Sequence, residues 1–331
     1  MNFNDFIDYP VIDCHVHHRI TNLDNQRDTV QALIETIHKG NMEKMYVFGK
    51  NDEVSIRLKK EYPQYFYAGG YVPWTGETSE FGKPVWSDYI LSLIEDGYDG
   101  IGEMGSKPVT REKHVPLNSE YYQGFWESCE EHNFPVLCHI GDVEDFWYED
   151  LTPDWAKNRG WGYYRGDFPR LDEFYTEIFN VLDRHPELSV VFCHFLFMSP
   201  DLEKISNFFE THPNVNIDIS PGIELLYNIS RRIDDWRDFF MKFDDRIFFG
   251  TDIGMSSTLS EHLDRVWLMR NFLESDEEFY TPETADVYLT RYEEPFIGLH
   301  LPKASLEKIY SKNFKRLWAR AICQEKNSCL I

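Results

Sequence analysis

The chain has 331 residues, 42% hydrophobic and 16% aromatic, enough for a large apolar core and too apolar for an intrinsically disordered chain. Its 33 basic and 57 acidic residues leave a net charge of −24, a balance that repels nucleic-acid backbones and anionic membrane surfaces. No stretch is apolar for long enough to span a bilayer and the N-terminus shows no basic-then-apolar leader, so the expectation is a cytoplasmic protein with neither nucleic acid nor membrane as partner.

In chain order, the first strong pattern is Val-Ile-Asp-Cys-His-Val-His-His, from Val11 to His18. On a strand, side chains two apart share a face, so His15 and His17 present two imidazoles together. Imidazole pairs suit zinc, iron, manganese or nickel. The same pair also reads as two solvated histidines at a strand end, and the rest of the chain has to decide between these.

Short β-branched or aromatic runs then alternate with longer amphipathic ones. Strands are expected near Val11 to His17, Lys44 to Phe48, Phe66 to Val72, Gly100 to Met104, Pro135 to Ile140, Ser189 to His194, Asn214 to Ile219 and Arg246 to Gly250. Helices are expected near Thr29 to Lys39, Val54 to Glu61, Ser87 to Glu95, Glu120 to His132, Leu171 to His185, Asp201 to Thr211 and Asp234 to Lys242. Eight such units predict a single α/β domain over residues 1–331, a (β/α)8 TIM barrel. A doubly wound sheet is the alternative, but it would carry a Gly-rich phosphate turn where this chain has histidines.

Two segments exceed the minimal unit. Residues 142–168, after the fifth strand, hold Phe146, Trp147, Tyr148, Trp155, Trp161, Tyr163 and Tyr164. That density predicts a lid or pocket wall, the alternative being a cluster packed on the barrel's exterior. Residues 276–302 read as a loop extension before a last helix at Ser305 to Ile322. The six cysteines show no CxxC spacing, and Cys14, Cys138 and Cys193 each precede a histidine at the end of an apolar run, which predicts buried thiols rather than disulfides. Cys329 is third from the end, so the tail is not a prenylation box.

Barrel enzymes build their sites at the carboxyl ends of the strands. There this chain places His15 and His17, then Glu103, His139, His194 and Asp252. Singly, each has a plain structural explanation: a core histidine, a turn cap, the N-cap of a helix. Together they are hard to assign to chance, since His38, His132, His185 and His212 fall on the helix side.

Asp-Cys-His-Val-His, Gly-Ile-Gly-Glu, Val-Leu-Cys-His, His-Pro-Glu-Leu-Ser-Val-Val-Phe-Cys-His, Asn-Val-Asn-Ile-Asp-Ile-Ser, Arg-Ile-Phe-Phe-Gly-Thr-Asp and Ile-Tyr-Ser-Lys-Asn-Phe-Lys-Arg-Leu-Trp follow one another in order. As a set they resemble the amidohydrolase superfamily, closest to the amidohydrolase-related branch that includes aminocarboxymuconate semialdehyde decarboxylase. The resemblance implies that His15 and His17 bind a divalent ion, most simply zinc, with His139 as a third nitrogen ligand and Asp252 as a carboxylate ligand. It places His194 beside the ion's water as a catalytic group, or as a ligand if the site holds two ions as in two-metal members. Glu103 stands where two-metal relatives carry a carbamylated lysine, and its carboxylate would serve one ion or bridge two. Lys107, past the strand, does not match that lysine.

Such a ligand set leaves an ion with residual positive charge and lowers the pKa of its water towards about 7. Asp252 would then take the water's proton while His194 polarises a carbonyl or stabilises oxyanion charge. This suits hydrolysis of a lactone, amide or ester; decarboxylation on the same fold is the second expectation, and a non-catalytic scaffold is the third. Arg19, Lys50, Lys107 and Arg165 fall in loops of the catalytic face, either as ordinary surface bases or as a field that draws in an anionic substrate. On the second reading Arg19 and Arg165 bind a small carboxylated molecule, Arg165 as a two-pronged clamp. A homodimer is the assembly the sequence admits.

Overall fold

The computed structural model describes residues 3–50, 52–72, 85–110, 115–221, 224–254, 258–285 and 293–318. Eight strands run in parallel and pair in sequence order: β1 (Val11–His17), β2 (Met42–Phe48), β3 (Phe66–Gly70), β4 (Gly100–Ser106), β5 (Val136–Ile140), β6 (Val190–Phe192), β7 (Val215–Asp218) and β8 (Ile247–Phe248). The ends of this sheet meet. Cys14 N donates to Phe249 O at 3.0 Å, Asp252 N to His15 O at 2.9 Å and His17 N to Ile253 O at 2.9 Å. The result is the predicted (β/α)8 barrel.

Its helices are α1 (Arg27–Lys39), α2 (Asp52–Glu61), α3 (Trp86–Asp96), α4 (Glu120–Glu131), the short α5 (Asp154–Asn158), α6 (Leu171–Arg184), α7 (Leu202–Thr211), α8 (Leu225–Ser230), α9 (Ile233–Lys242) and α10 (Leu259–Glu274). Most carry one apolar stripe that packs on the strands: on α6 it is Leu171, Phe174, Tyr175, Ile178, Val181 and Leu182. The buried set of α10 also includes Glu261, His262, Asp264, Arg265 and Arg270. A second layer covers its outer side, where Leu299 N donates to Phe272 O and Leu301 N to Leu273 O. That layer is the expected extension, and it contains a two-stranded antiparallel pair, β9 (Glu278–Phe279) with β10 (Phe296–Ile297).

Alternation along each strand divides two cores. Ile12, Cys14, Leu137, Val191, Cys193 and Phe248 fill the barrel's interior, whereas Val16, Val136, Cys138, Val190, Phe192 and Ile247 face the helices. The register of β1 shifts between Asp13 and Val16, a bulge that changes which face each residue serves. The bottom is plugged by α11 (Lys303–Glu307), a π turn (Lys308–Lys312) and α12 (Asn313–Leu317), with the Phe314 and Trp318 rings stacked at 4.3 Å. The helix expected to run to Ile322 is therefore broken by a π turn, and its residues 319–322 lie outside the described ones. Cys14, Cys129, Cys138 and Cys193 are buried free thiols, as expected.

Candidate metal centre

His15, on the bulged end of β1, is fully buried, and its Nδ1–H donates to Asp218 Oδ2 of β7 at 2.7 Å. That hydrogen bond turns the other ring nitrogen, Nε2, inward, 3.5 Å from Asp252 Oδ1. His17 Nε2 lies 3.3 Å from Asp252 Oδ1 and 3.3 Å from Glu103 Oε2. Ligand atoms of His15, His17 and Asp252 thus fall within 4.8 Å of one another, as do those of His15, Glu103 and His194.

His139 joins through Glu103. Its Nδ1–H donates to Glu103 Oε1 at 2.6 Å, and its ring centroid is 4.8 Å from that of His194. Neither a satisfied core histidine nor a turn cap describes this pair. His139 Nε2 and His15 Nε2 are buried with no hydrogen-bond partner, and a buried polar nitrogen without a partner is costly. Two orphaned imidazole nitrogens, on rings that contact Asp252 and Glu103, fit a divalent cation with nitrogen and oxygen ligands.

The electrostatics point the same way. Burial opposes charge on His15, yet Asp218, Asp252 and Glu103 outweigh it and push its pKa up to about 9. Burial would likewise raise the Asp252 carboxyl, but the hydrogen bond from His17 and the charge of His15 hold it far below the usual carboxylate range. Glu103 is held low in the same manner by His139 and His17. Three carboxylates around one point, Asp218 fully buried and Glu103 and Asp252 partly so, attract a cation, whether proton or metal.

Asp218 was not singled out from the sequence. In β7, Val215, Ile217 and Ile219 face the helices, which sends Asn216, Asp218 and Ser220 inward. That polar inward face was the available signal. Asp218 Oδ1 accepts from the backbone N–H groups of His194 at 2.8 Å and Ser220 at 3.0 Å, and from Ser220 Oγ at 2.6 Å.

His194 does not end a strand as expected. β6 stops at Phe192, and His194, Phe195, Leu196 and Phe197 all have φ between 51° and 58°. Such a left-handed run of residues bearing Cβ atoms is strained by about 1–2 kcal/mol per residue and persists only where its surroundings hold it. The Ser220 hydroxyl proton is committed to Asp218, so His194 Nδ1–H is the donor to Ser220 O at 3.3 Å. Its Nε2 is then an acceptor, and burial beside His139 lowers its pKa to about 4. In this state the neutral imidazole, with its Nε2 lone pair inward, can act as a base or a ligand. Asp252 is no helix cap either, since Thr258 caps α10.

A cavity of about 730 Å3 opens over this cluster, with His17, Glu103, His139, His194 and Asp252 on its floor. Residues 142–168 supply one wall through Asp142, Val143, Phe146, Trp155, Arg159 and Trp161, so the aromatic segment does border the cavity. Asp142 anchors it by accepting from Tyr163 OH at 2.8 Å. Arg19, Lys50 and Lys107 line the cavity as well. Lys107 Nζ sits 4.7 Å over the Trp161 ring and 4.0 Å from Asp142 Oδ2.

Arg165 is the exception. Tyr163 takes the inward position of its 3-10 turn, which turns Arg165 out to solvent, 3.8 Å from Glu149 and 5.0 Å over the Tyr164 ring. Arg165, expected as a clamp, thus lies outside the cavity lining, and Arg159 is the basic residue this segment brings to the cavity.

Residues 89–320 match the family model described as "Amidohydrolase". The chain belongs to the amidohydrolase family. Solved structures similar to this amidohydrolase include an uncharacterised TIM-barrel protein of Bordetella bronchiseptica, at 17% identity and a TM-score of 0.56 over 94% of this chain and 99% of that one. A 4-oxalomesaconate hydratase of Rhodopseudomonas palustris aligns at 13% identity and a TM-score of 0.55, covering 96% of this chain and 98% of that one. A dihydroxybenzoic acid decarboxylase of Polaromonas sp. JS666, with bound manganese and the inhibitor 2-nitroresorcinol, aligns at 13% identity and a TM-score of 0.52 over 94% and 97% of the two chains. At these identities the likeness is one of fold. The search of curated proteins returned no match. Among the described residues no helix is long and apolar enough to cross a membrane.

Proposed function

We propose that this amidohydrolase is a metal-dependent hydrolase acting on a small carboxylated lactone, amide or ester. The observation that carries the reading is the pair of buried, orphaned nitrogens: His15 Nε2, 3.5 Å from Asp252 Oδ1, and His139 Nε2, on the ring whose Nδ1 bonds Glu103. His15, His17, His139 and Asp252 would hold one divalent ion, zinc or manganese by ligand chemistry, with Glu103 orienting His139 through one oxygen and offering the other to the ion. When bound, the ion supplies Lewis-acid charge that polarises a substrate oxygen and makes water acidic enough to react near neutral pH.

The remaining steps belong to the chain. An Asp252 carboxylate oxygen takes the proton of the attacking water and passes it to the leaving group, while His194 accepts a second hydrogen bond from that water through Nε2. Phe146, Trp155 and Trp161 exclude bulk solvent and flank a planar substrate, and Arg19, Lys50, Lys107 and Arg159 set a positive rim in an otherwise acidic molecule.

A second reading, loss of carbon dioxide from a ring-bearing acid, is supported by that same aromatic wall, which suits a flat ring, and matches the activity named for the manganese-containing neighbour. The test is elemental analysis of the purified protein, followed by a panel of carboxylated lactones, amides, esters and aromatic acids read by acid release and by trapped carbon dioxide. Acid release with a bound divalent ion is the expected result. Carbon dioxide instead would replace hydrolysis with decarboxylation, and a metal-free, inactive protein would overturn both.

A further inference from the structure

Asp252 adopts φ of 52°, in the left-handed region where a side chain is strained, and this conformation aims its carboxylate at His15 and His17. Something must hold it. The four carbonyls of residues 251–254 show what does: Ile253 O accepts from His17 N at 2.9 Å, Gly254 O from Arg19 Nε at 2.6 Å, and Arg265 Nη1 donates to both Thr251 O at 2.7 Å and Asp252 O at 2.9 Å. Arg265 reaches there from α10 with a side chain only 2% exposed. Its Nε donates to Ala285 O at 3.0 Å, which ties the loop after β8 to the extension, and its Nη1 lies 3.9 Å from Asp252 Oδ2.

We propose that Arg265 is a positioning residue that holds the loop after β8 in its left-handed turn and thereby aims Asp252 at the metal ligands His15 and His17. The inference rests on the metal reading given above. The planar guanidinium is what the geometry requires. It donates in several directions at once, to carbonyls of two separate segments, which a lysine ammonium on a flexible stem does not reproduce. Without it two backbone carbonyls lose their buried donor, Asp252 relaxes to negative φ, and the carboxylate leaves the cluster.

The test uses Co2+ as a probe, titrated into metal-free full-length protein and read by its visible absorption, with circular dichroism to confirm folding. Partners that orient metal ligands are typically worth about 10- to 100-fold in affinity. Arg265→Gln and Arg265→Lys are both expected to lose that much and to change the Co2+ spectrum, because the loop geometry and not the charge is what matters. A folded Arg265→Lys with the affinity and spectrum of the parent would reduce Arg265 to a neutralising charge and overturn the proposal. If neither variant folds, Arg265→Ala is refolded with a few millimolar guanidinium. Recovery of the Co2+ spectrum that disappears when guanidinium is removed supports the proposal; Co2+ binding indifferent to guanidinium, or no folding even with it, overturns it. Failure of the parent protein itself to bind Co2+ overturns the metal reading and this inference with it, whereas equal binding by parent and Arg265→Gln overturns the role of Arg265 alone.

Discussion

A carboxylate that takes a proton and one that only orients an imidazole leave different signatures, and the proposed mechanism gives the first role to Asp252 and the second to Asp218. Asp252→Asn keeps the shape and one coordinating oxygen but cannot accept the water's proton. It should retain most of its metal while losing about 100- to 10,000-fold in turnover on whichever substrate the panel identifies. Full activity with full metal would move the base to His194, the other acceptor over the cavity floor. Asp218→Asn should behave in the opposite sense. It weakens the acceptor of His15 Nδ1–H, so metal affinity should fall about 10- to 100-fold, with turnover of the metal-saturated variant much less affected. Unchanged affinity would show that Asp218 serves packing alone. These two residues also mark what the sequence could and could not tell. His15, His17, Glu103 and His139, on strands, were legible because strand periodicity and barrel geometry send them to one face, and Asp252 because it follows the eighth strand on that same face. Asp218 was within reach of the same argument, by the polar inward face of β7. The tautomer of His194 was not, because it depends on where Ser220 sends its hydroxyl proton, a contact 26 residues away along the chain.

At the scale of elements, strand positions followed from β-branched runs bounded by turn residues, and what departed from expectation did so for local backbone reasons. β6 ends early because its polypeptide enters a left-handed turn, and the last helix is interrupted by a π turn at Lys308–Lys312. α10 offered no clear stripe because both of its sides are covered. The aromatic segment 142–168 was recognised from composition, but composition does not say which of its basic residues turns inward. The structure separates them: Arg159 lines the cavity beside Trp161, and Arg165 stands in solvent beside Glu149. If the segment binds an anionic substrate, Arg159→Ala should raise KM about 10-fold, in line with about 1.5 kcal/mol for a charged hydrogen bond, at nearly constant kcat. Arg165→Ala should leave both constants within twofold. A KM effect confined to Arg165→Ala would mean that the segment rearranges when substrate binds.

For the whole molecule, the centre combines the left-handed backbone of His194 and Asp252 with the carboxylates of Glu103, Asp218 and Asp252, and it lies where the barrel closes. β1 and the loop after β8 meet through His15 O, His17 N and the bridge between Val16 and Ile253. An ion that joins His15 and His17 to Asp252 therefore clasps the two ends of the sheet, and binding to the folded state alone stabilises it by about 2.7 kcal/mol at an ion concentration 100 times Kd. Added Mn2+ should raise Tm by several degrees, a chelator should reverse the gain, and the His15→Ala/His17→Ala double variant should show none. The gain should also depend on pH in a direction set by His15. Its pKa is raised to about 9 in the folded chain, so protonated His15 contributes stability that is fully present below about 6.5, the unfolded value, and is lost as pH rises through 9. The ion requires the unprotonated Nε2 and competes with that proton. The increment produced by Mn2+ should accordingly be smallest near pH 6 and grow towards pH 8.5, measured as the difference in Tm between chelated and Mn2+-saturated protein at each pH. An increment that shrinks as pH rises would place the ion on ligands other than His15.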